Sequence, residues 1–211
     1  MNNYSLTLEK VSKIFGRRLV FKDISLQMSS GNVYGISGCN GSGKSTLAKI
    51  ITGLISPSNG KITHLFNDKK IESENLHDYL GFVSPYLFLY DEFTAEENLY
   101  HFAKIRGIKI NNTRVDYLFD LFNLSDRKKD ILKGYSSGMK QRMKFIFALQ
   151  HSPQLLIFDE PTSNLDNAGK EAVYKLIEEE GKNNLVIIAS NEEVDLSFCG
   201  NVIDVEKFKI V

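Results

Sequence analysis

Gly38-Cys39-Asn40-Gly41-Ser42-Gly43-Lys44-Ser45 fits the spacing G-x-x-x-x-G-K-S/T, and Thr46 follows it. Asn32–Ser37, just before, reads as a short apolar strand. Lys44–Leu54, just after, carries Leu47, Ile50, Ile51 and Leu54 at helical spacing. Strand, glycine turn and helix in that order are the context the motif requires. The glycines let backbone N–H groups turn inward as an anion nest, and the helix N-terminus adds its partial positive charge. Lys44 supplies a point charge to the β- and γ-phosphates, and the Ser45 hydroxyl is placed to ligate Mg²⁺. Residues Gly38 to Thr46 are therefore expected to hold a nucleoside triphosphate, with Lys44 acting in catalysis as well.

A second run ends in acid. Leu155-Leu156-Ile157-Phe158-Asp159-Glu160 is a four-residue apolar stretch closed by two carboxylates. A buried strand places Asp159 at its C-terminal tip, where ligands of α/β sheets bind. From there Asp159 is expected to hold Mg²⁺ with Ser45, and Glu160 to act as general base on the attacking water.

Elsewhere the pattern is mixed. Ser5–Lys10 alternates at Leu6 and Leu8, and Ile24, Leu26 and Met28 repeat that alternation, as half-buried antiparallel strands do. Turn residues at Ser56–Gly60 precede a strand over Lys61–Phe66. Thr94-Ala95-Glu96-Glu97 has the form of a capping box, opening a helix that runs to Gly107. Helices are also expected over Thr113–Phe122, Ser136–Gln150 and Ala168–Glu180, with strands at Gln154–Asp159 and Leu185–Ser190. The fold class is α/β: a parallel-sheet core, a small antiparallel flank and an α-helical insertion.

Length and charge limit the function. The 211 residues suit one domain. Lys plus Arg number 26 and Asp plus Glu number 26, so no basic surface offers itself to nucleic acid. The longest apolar runs fall far short of the roughly 20 residues of a membrane span. Met1–Ser5 shows no secretory leader, and Cys39 and Cys199 make neither a disulfide framework nor a zinc spacing, so a cytoplasmic setting is expected.

Together these residues resemble the ATP-binding cassette (ABC) ATPases over nearly the whole chain. Tyr135-Ser136-Ser137-Gly138-Met139-Lys140-Gln141-Arg142 looks like the family's signature, usually Leu-Ser-Gly-Gly-Gln before a basic stretch. Ser163-Asn164-Leu165-Asp166 looks like the D-loop, and Asp91–Leu99 is similar to the start of the helical subdomain. Phe15 sits where the family stacks an aromatic ring on adenine. The resemblance implies a P-loop NTPase fold in one domain over 1–211, with a helical subdomain at about 86–151, binding ATP and Mg²⁺. It implies that Ser136, Ser137 and Gly138, at a helix N-terminus, meet the γ-phosphate bound to the other cassette of a dimer. The implied partners are a second ABC ATPase subunit, either a copy of this chain or a different cassette, and a transmembrane permease subunit. The permease would dock near Pro85–Asp91 at the cytoplasmic face of the membrane; those side chains packing the helical lobe is the alternative.

The sequence departs from the family at several positions. Asn191 stands where a histidine contacts the γ-phosphate, and its amide can donate a hydrogen bond but carries no imidazolium charge. His101 and His151 do not follow the right strand. Pro85 stands where the Q-loop glutamine links Mg²⁺ to the membrane partner, and Ser137 replaces a signature glycine. Cys39 occupies a loop position where many relatives carry proline. There it is either a thiol activated by the helix N-terminus and Lys44 or an inert small residue. The expected activity is a slow or partner-dependent ATPase powering an ABC transporter. A soluble non-transport ATPase and a weakly hydrolysing switch are the alternatives.

Overall fold

The computed structural model describes residues 3–209; Met1 and Asn2, the start of the stretch read for a leader, and Ile210 and Val211 lie outside them. The chain begins with β1 (Tyr4–Phe15), β2 (Arg18–Ser29), β3 (Asn32–Ser37), α1 (Lys44–Ile51), β4 (Asn59–Phe66), β5 (Lys69–Lys70), α2 (Leu76–Tyr79) and β6 (Leu80–Val83). There follow α3 (Ala95–Arg106), α4 (Asn112–Leu121), α5 (Ser137–Leu149), β7 (Leu155–Asp159), α6 (Asn167–Glu180), β8 (Leu185–Ala189), α7 (Glu193–Leu196) and β9 (Asn201–Asp204).

Five strands make a parallel sheet in the order β6-β7-β8-β3-β9. β7 and β8 are buried along their whole length, which is why both read as unbroken apolar runs. Their alternating side chains feed two separate cores. Leu155, Ile157, Leu185 and Ile187 pack with α1 and the antiparallel sheet, while Leu156, Phe158, Val186 and Ile188 pack with α4, α5 and α6. The sheet is thus a wall between the two cores, and its C-terminal edge carries the phosphate loop.

The antiparallel flank has the order β2-β1-β4-β5. Tyr4, Leu6 and Leu8 point inward from β1, as their alternation requires. The strand does not stop at Lys10. A register shift there, with Lys10 at φ 48°, bulges the strand and lets it continue to Phe15. That extension carries the aromatic ring toward the phosphate loop.

Between β6 and β7 lie α3, α4 and α5. Thr94 and Glu97 form a reciprocal capping box: Thr94 Oγ1 accepts from Glu97 N at 3.1 Å, and Glu97 Oε2 accepts from Thr94 N at 2.8 Å. Asn111 caps α4, and Ser136 Oγ caps α5 by accepting from Met139 N at 3.2 Å. One expected helix is shorter than its periodicity: α1 ends at Ile51, Gly53 turns away at φ 77°, and Leu54 is 66% exposed instead of on the buried face. No helix among the described residues is long and apolar enough to cross a membrane.

Candidate nucleotide-binding site

β3 ends at Ser37 and the loop opens at once above the sheet edge. Gly43, the last loop residue before α1, sits at φ 115°, and a Cβ there would lie 2.6 Å from Val20 Cγ1. Only glycine meets both conditions. The loop borders a cavity of about 880 Å³ lined by Asn40, Gly41, Ser42, Gly43, Lys44, Ser45 and Thr46, together with Phe15, Glu160 and Asn191.

Lys44 is only 5% exposed. Its Nζ donates to the carbonyls of Gly38 at 2.9 Å and Cys39 at 3.4 Å, and lies 3.5 Å from Glu160 Oε1. Ser45 Oγ donates to Asp159 Oδ1 at 2.9 Å. Asp159 Oδ2 is buried without a hydrogen-bond partner among the described residues. Burial pushes the Asp159 carboxyl above the ordinary carboxylate range, against the Ser45 hydrogen bond and the charges of Lys49 and Lys44. Burial likewise raises Glu160, with Lys44 opposing. Glu160 is held in the left-handed region at φ 50°, its N–H donating to Ala189 O at 2.8 Å. Such a conformation is unfavourable for a non-glycine residue and aims its side chain across the sheet edge.

The orphaned Asp159 oxygen beside a serine hydroxyl is a hard oxygen pair suited to Mg²⁺. Among the described residues no group of three or more His, Cys, Asp or Glu side chains gathers. A divalent ion here would take its other ligands from phosphate and water, as Mg²⁺ prefers.

Phe15 is 48% exposed at the cavity rim, with Lys13 Nζ 4.8 Å from its ring centroid. Pro85 and Tyr86 form part of the cavity wall, where Lys49 Nζ lies 4.4 Å from the Tyr86 ring centroid. Pro85 brings no ligating side chain, but its carbonyl accepts from Lys144 Nζ at 3.0 Å.

Other expected residues stand outside the cavity. Gly38 supplies the carbonyl that Lys44 grips, and Cys39 faces away. The Cys39 N–H and thiol donate to Glu206 Oε2 at 3.3 Å and Oε1 at 3.2 Å. Lys44 reaches the Cys39 carbonyl rather than its sulfur, so the cation expected to activate the thiol does not stand beside it. Ser136, Ser137 and Gly138 do not reach the cavity. Ser137 lines a separate cavity of about 330 Å³, and a Cβ on Gly138 would lie 3.3 Å from Asn164 O. His151 is remote, with Nε2 3.1 Å from Leu80 O, and His101 stacks near Phe93.

Several lining residues were not expected from sequence: Arg18, whose guanidinium donates to Gly41 O at 3.4 Å, and Thr162, Lys170 and Glu192. Thr162 had a signal, since it follows the acidic pair after a single proline, Pro161. Arg18 and Lys170 had none, because a hairpin and a distant helix bring them in.

A sequence profile of the family described as "ABC transporter" matches residues 21–163. An uncharacterized ABC transporter ATP-binding protein, YdbJ of Bacillus subtilis (strain 168), is 35% identical over 209 residues, covering 97% of this chain and 67% of its own. The linearmycin resistance ATP-binding protein LnrL of the same organism is 31% identical over 195 residues, covering 90% of this chain and 63% of its own. This chain therefore spans about two thirds of the length of these relatives. A solved structure of the ATP-binding subunit of an ABC transporter superposes with TM-score 0.84 at 26% identity, covering 94% of this chain and 85% of its own.

Proposed function

This chain belongs to the ABC transporter family, and on that premise we propose that it is a subunit that binds and hydrolyses ATP to drive a separate transmembrane permease. Residues 1–211 are read as one cassette domain with its helical subdomain over about 86–151. The observation that carries the reading is the meeting of Lys44, Ser45, Asp159 and Glu160 at one sheet edge.

Each side chain has a task in that reading. The N–H groups of the loop and α1 take the phosphates. Lys44 exchanges the Gly38 and Cys39 carbonyls for phosphate oxygens and releases Glu160. Glu160 then removes a proton as water attacks the γ-phosphorus and the bond to the ADP oxygen breaks. Its burial-raised basicity suits that transfer. Mg²⁺, held by Ser45 and Asp159, would neutralise charge on the β- and γ-phosphate oxygens. Phe15 would stack on adenine. Asn191 offers the γ-phosphate a neutral donor, which favours slow turnover until a partner completes the site.

Two partners follow. Ser136, Ser137 and Gly138 lie off the cavity, so a second cassette, in the simplest case another copy of this chain, would bring its own signature helix to this nucleotide. Tyr86, Phe88 and Tyr90 are 66%, 85% and 66% exposed on the expected docking segment, while Leu89 packs inward. The permease would cover these rings at the cytoplasmic face.

Glu160→Gln tests the whole. Removing a general base is expected to lower ATP hydrolysis by about 100-fold or more. ATP binding should persist, and light scattering should show ATP-dependent doubling of mass. A wild-type rate no higher than that of the variant would overturn the ATPase reading.

A further inference from the structure

Asp195 is fully buried, and it has no task in the chemistry above. No lysine, arginine or histidine pairs with it among the described residues. Three hydroxyls from three parts of the fold donate to it instead. Thr162 Oγ1 lies 3.0 Å from Oδ1 and 3.1 Å from Oδ2, the Tyr174 hydroxyl 3.0 Å from Oδ1, and Ser190 Oγ 2.7 Å from Oδ2. A carboxylate withdrawn from water persists only where donors replace the lost hydration, and here they are aimed at it from α6 and two turns.

Those two turns are the ones that carry the chemistry. Thr162 lies within the turn begun by Glu160, which the Ser163 N–H closes by donating to Glu160 O, and lines the nucleotide cavity. Ser190 directly precedes Asn191, and its Oγ also accepts from Glu192 N at 3.1 Å. A relay thus runs from the Glu192 N–H through the Ser190 hydroxyl to Asp195, fixing the turn on which Asn191 stands. On the far side Tyr174 stacks on Phe198, with ring centroids 4.6 Å apart, and Cys199 lies alongside. Burial first, and the Asp195 charge second, push Tyr174 and Cys199 up to about 12.

We propose that Asp195 is a positioning residue that locks the Glu160–Thr162 turn to the Asn191 turn, so that base and phosphate contact keep one geometry. The proposal rests on the ATPase reading above. Asp195 acts through Thr162 and Ser190 and touches no reacting atom. A neutral amide at 191 makes this registration matter more, since such a donor depends on direction where a charge tolerates displacement.

Asp195→Asn keeps the shape and removes the charge and one acceptor. Breaking a hydrogen-bonded charged group of this kind should lower kcat by about 10- to 100-fold. The ATP KM should stay within about twofold, because the phosphate loop is held elsewhere. Ser190→Ala, which cuts one link only, should move kcat in the same direction, and Asp195→Glu should recover part of the loss. In an Asn191→Ala background, Asp195→Asn should cost less than it does in the wild type, the remaining loss coming from the Glu160–Thr162 turn; full additivity of the two, or an unchanged kcat in Ser190→Ala, would overturn the assignment. Hydrogen exchange reads the lock without hydrolysis. The Glu192 amide should lose protection in Asp195→Asn while the amides of Gly41–Ser45 keep theirs, and unchanged Glu192 protection would overturn the proposal even if the ATPase reading stands. A wild-type chain that fails to hydrolyse ATP would count against that reading alone.

Discussion

Asn191 lines the same cavity as the phosphate loop, close in sequence to the buried relay of Ser190 and Asp195. Hydrogen bonds from charged groups contribute about 1.5–3 kcal/mol against about 1 for neutral ones. Asn191→His should therefore raise turnover by about fivefold at a pH where the imidazole is partly protonated. Steady-state hydrolysis decides it, and an unchanged or lower rate would mean that Asn191 is not the γ-phosphate contact. At this scale the candidate site was legible where residue type is forced by local chemistry: glycines at a loop, a lysine before a serine, carboxylates at a strand tip. Arg18, Lys170 and Glu206 left no local trace, because each reaches the loop or the cavity from a distant part of the chain. Asp195 was silent for the same reason, with partners 33, 21 and 5 residues away. Its meaning arises only when Thr162, Tyr174 and Ser190 converge.

The capping box at Thr94 belongs to the element scale. It satisfies two backbone donors at the start of α3, and Asn98 adds a further tie by donating to the carbonyls of Tyr90 and Thr94 at 3.0 and 2.9 Å. Thr94→Ala should destabilise the chain by about 1 kcal/mol, measured by chemical denaturation, with little effect on ATP affinity. A loss within error would show that the Asn98 contacts alone hold the helix start. The same local logic explains which elements could be read in advance. Capped helices and fully buried strands declare themselves, but β6 and β9 have four residues each and little periodicity. They exist because parallel neighbours offer them a ladder. The extension of β1 to Phe15 was hidden too, since the bulge at Lys10 breaks the alternation that marked its first half.

For the molecule as a whole, two histidines are withdrawn from water, His64 buried and His151 half-buried. His64 on β4 shares a 2.8 Å hydrogen bond with the Tyr4 hydroxyl, and His151 follows α5. Burial pushes both imidazoles down to about 4, with Arg106 adding to the effect at His151. The folded chain then holds both neutral while the unfolded chain protonates them near pH 6.5. Between those values the unfolded state binds more protons, so stability present above pH 6.5 is lost as pH falls toward 4. Each histidine should remove about 2 kcal/mol by pH 5. Asp159 and Glu160 act with the opposite sign: burial raises them, so their unfavourable charge is relieved as they protonate. Comparing variants with wild type isolates the histidine share. Chemical denaturation at pH 7 and pH 5 should show a smaller stability loss for His64→Gln combined with His151→Gln than for wild type. Equal losses would mean that neither imidazole is kept neutral by the fold. Because burial lowers the two imidazoles to similar values, the single variants should each recover about half of the difference, and a strongly unequal split would show that one imidazole carries most of the acid sensitivity.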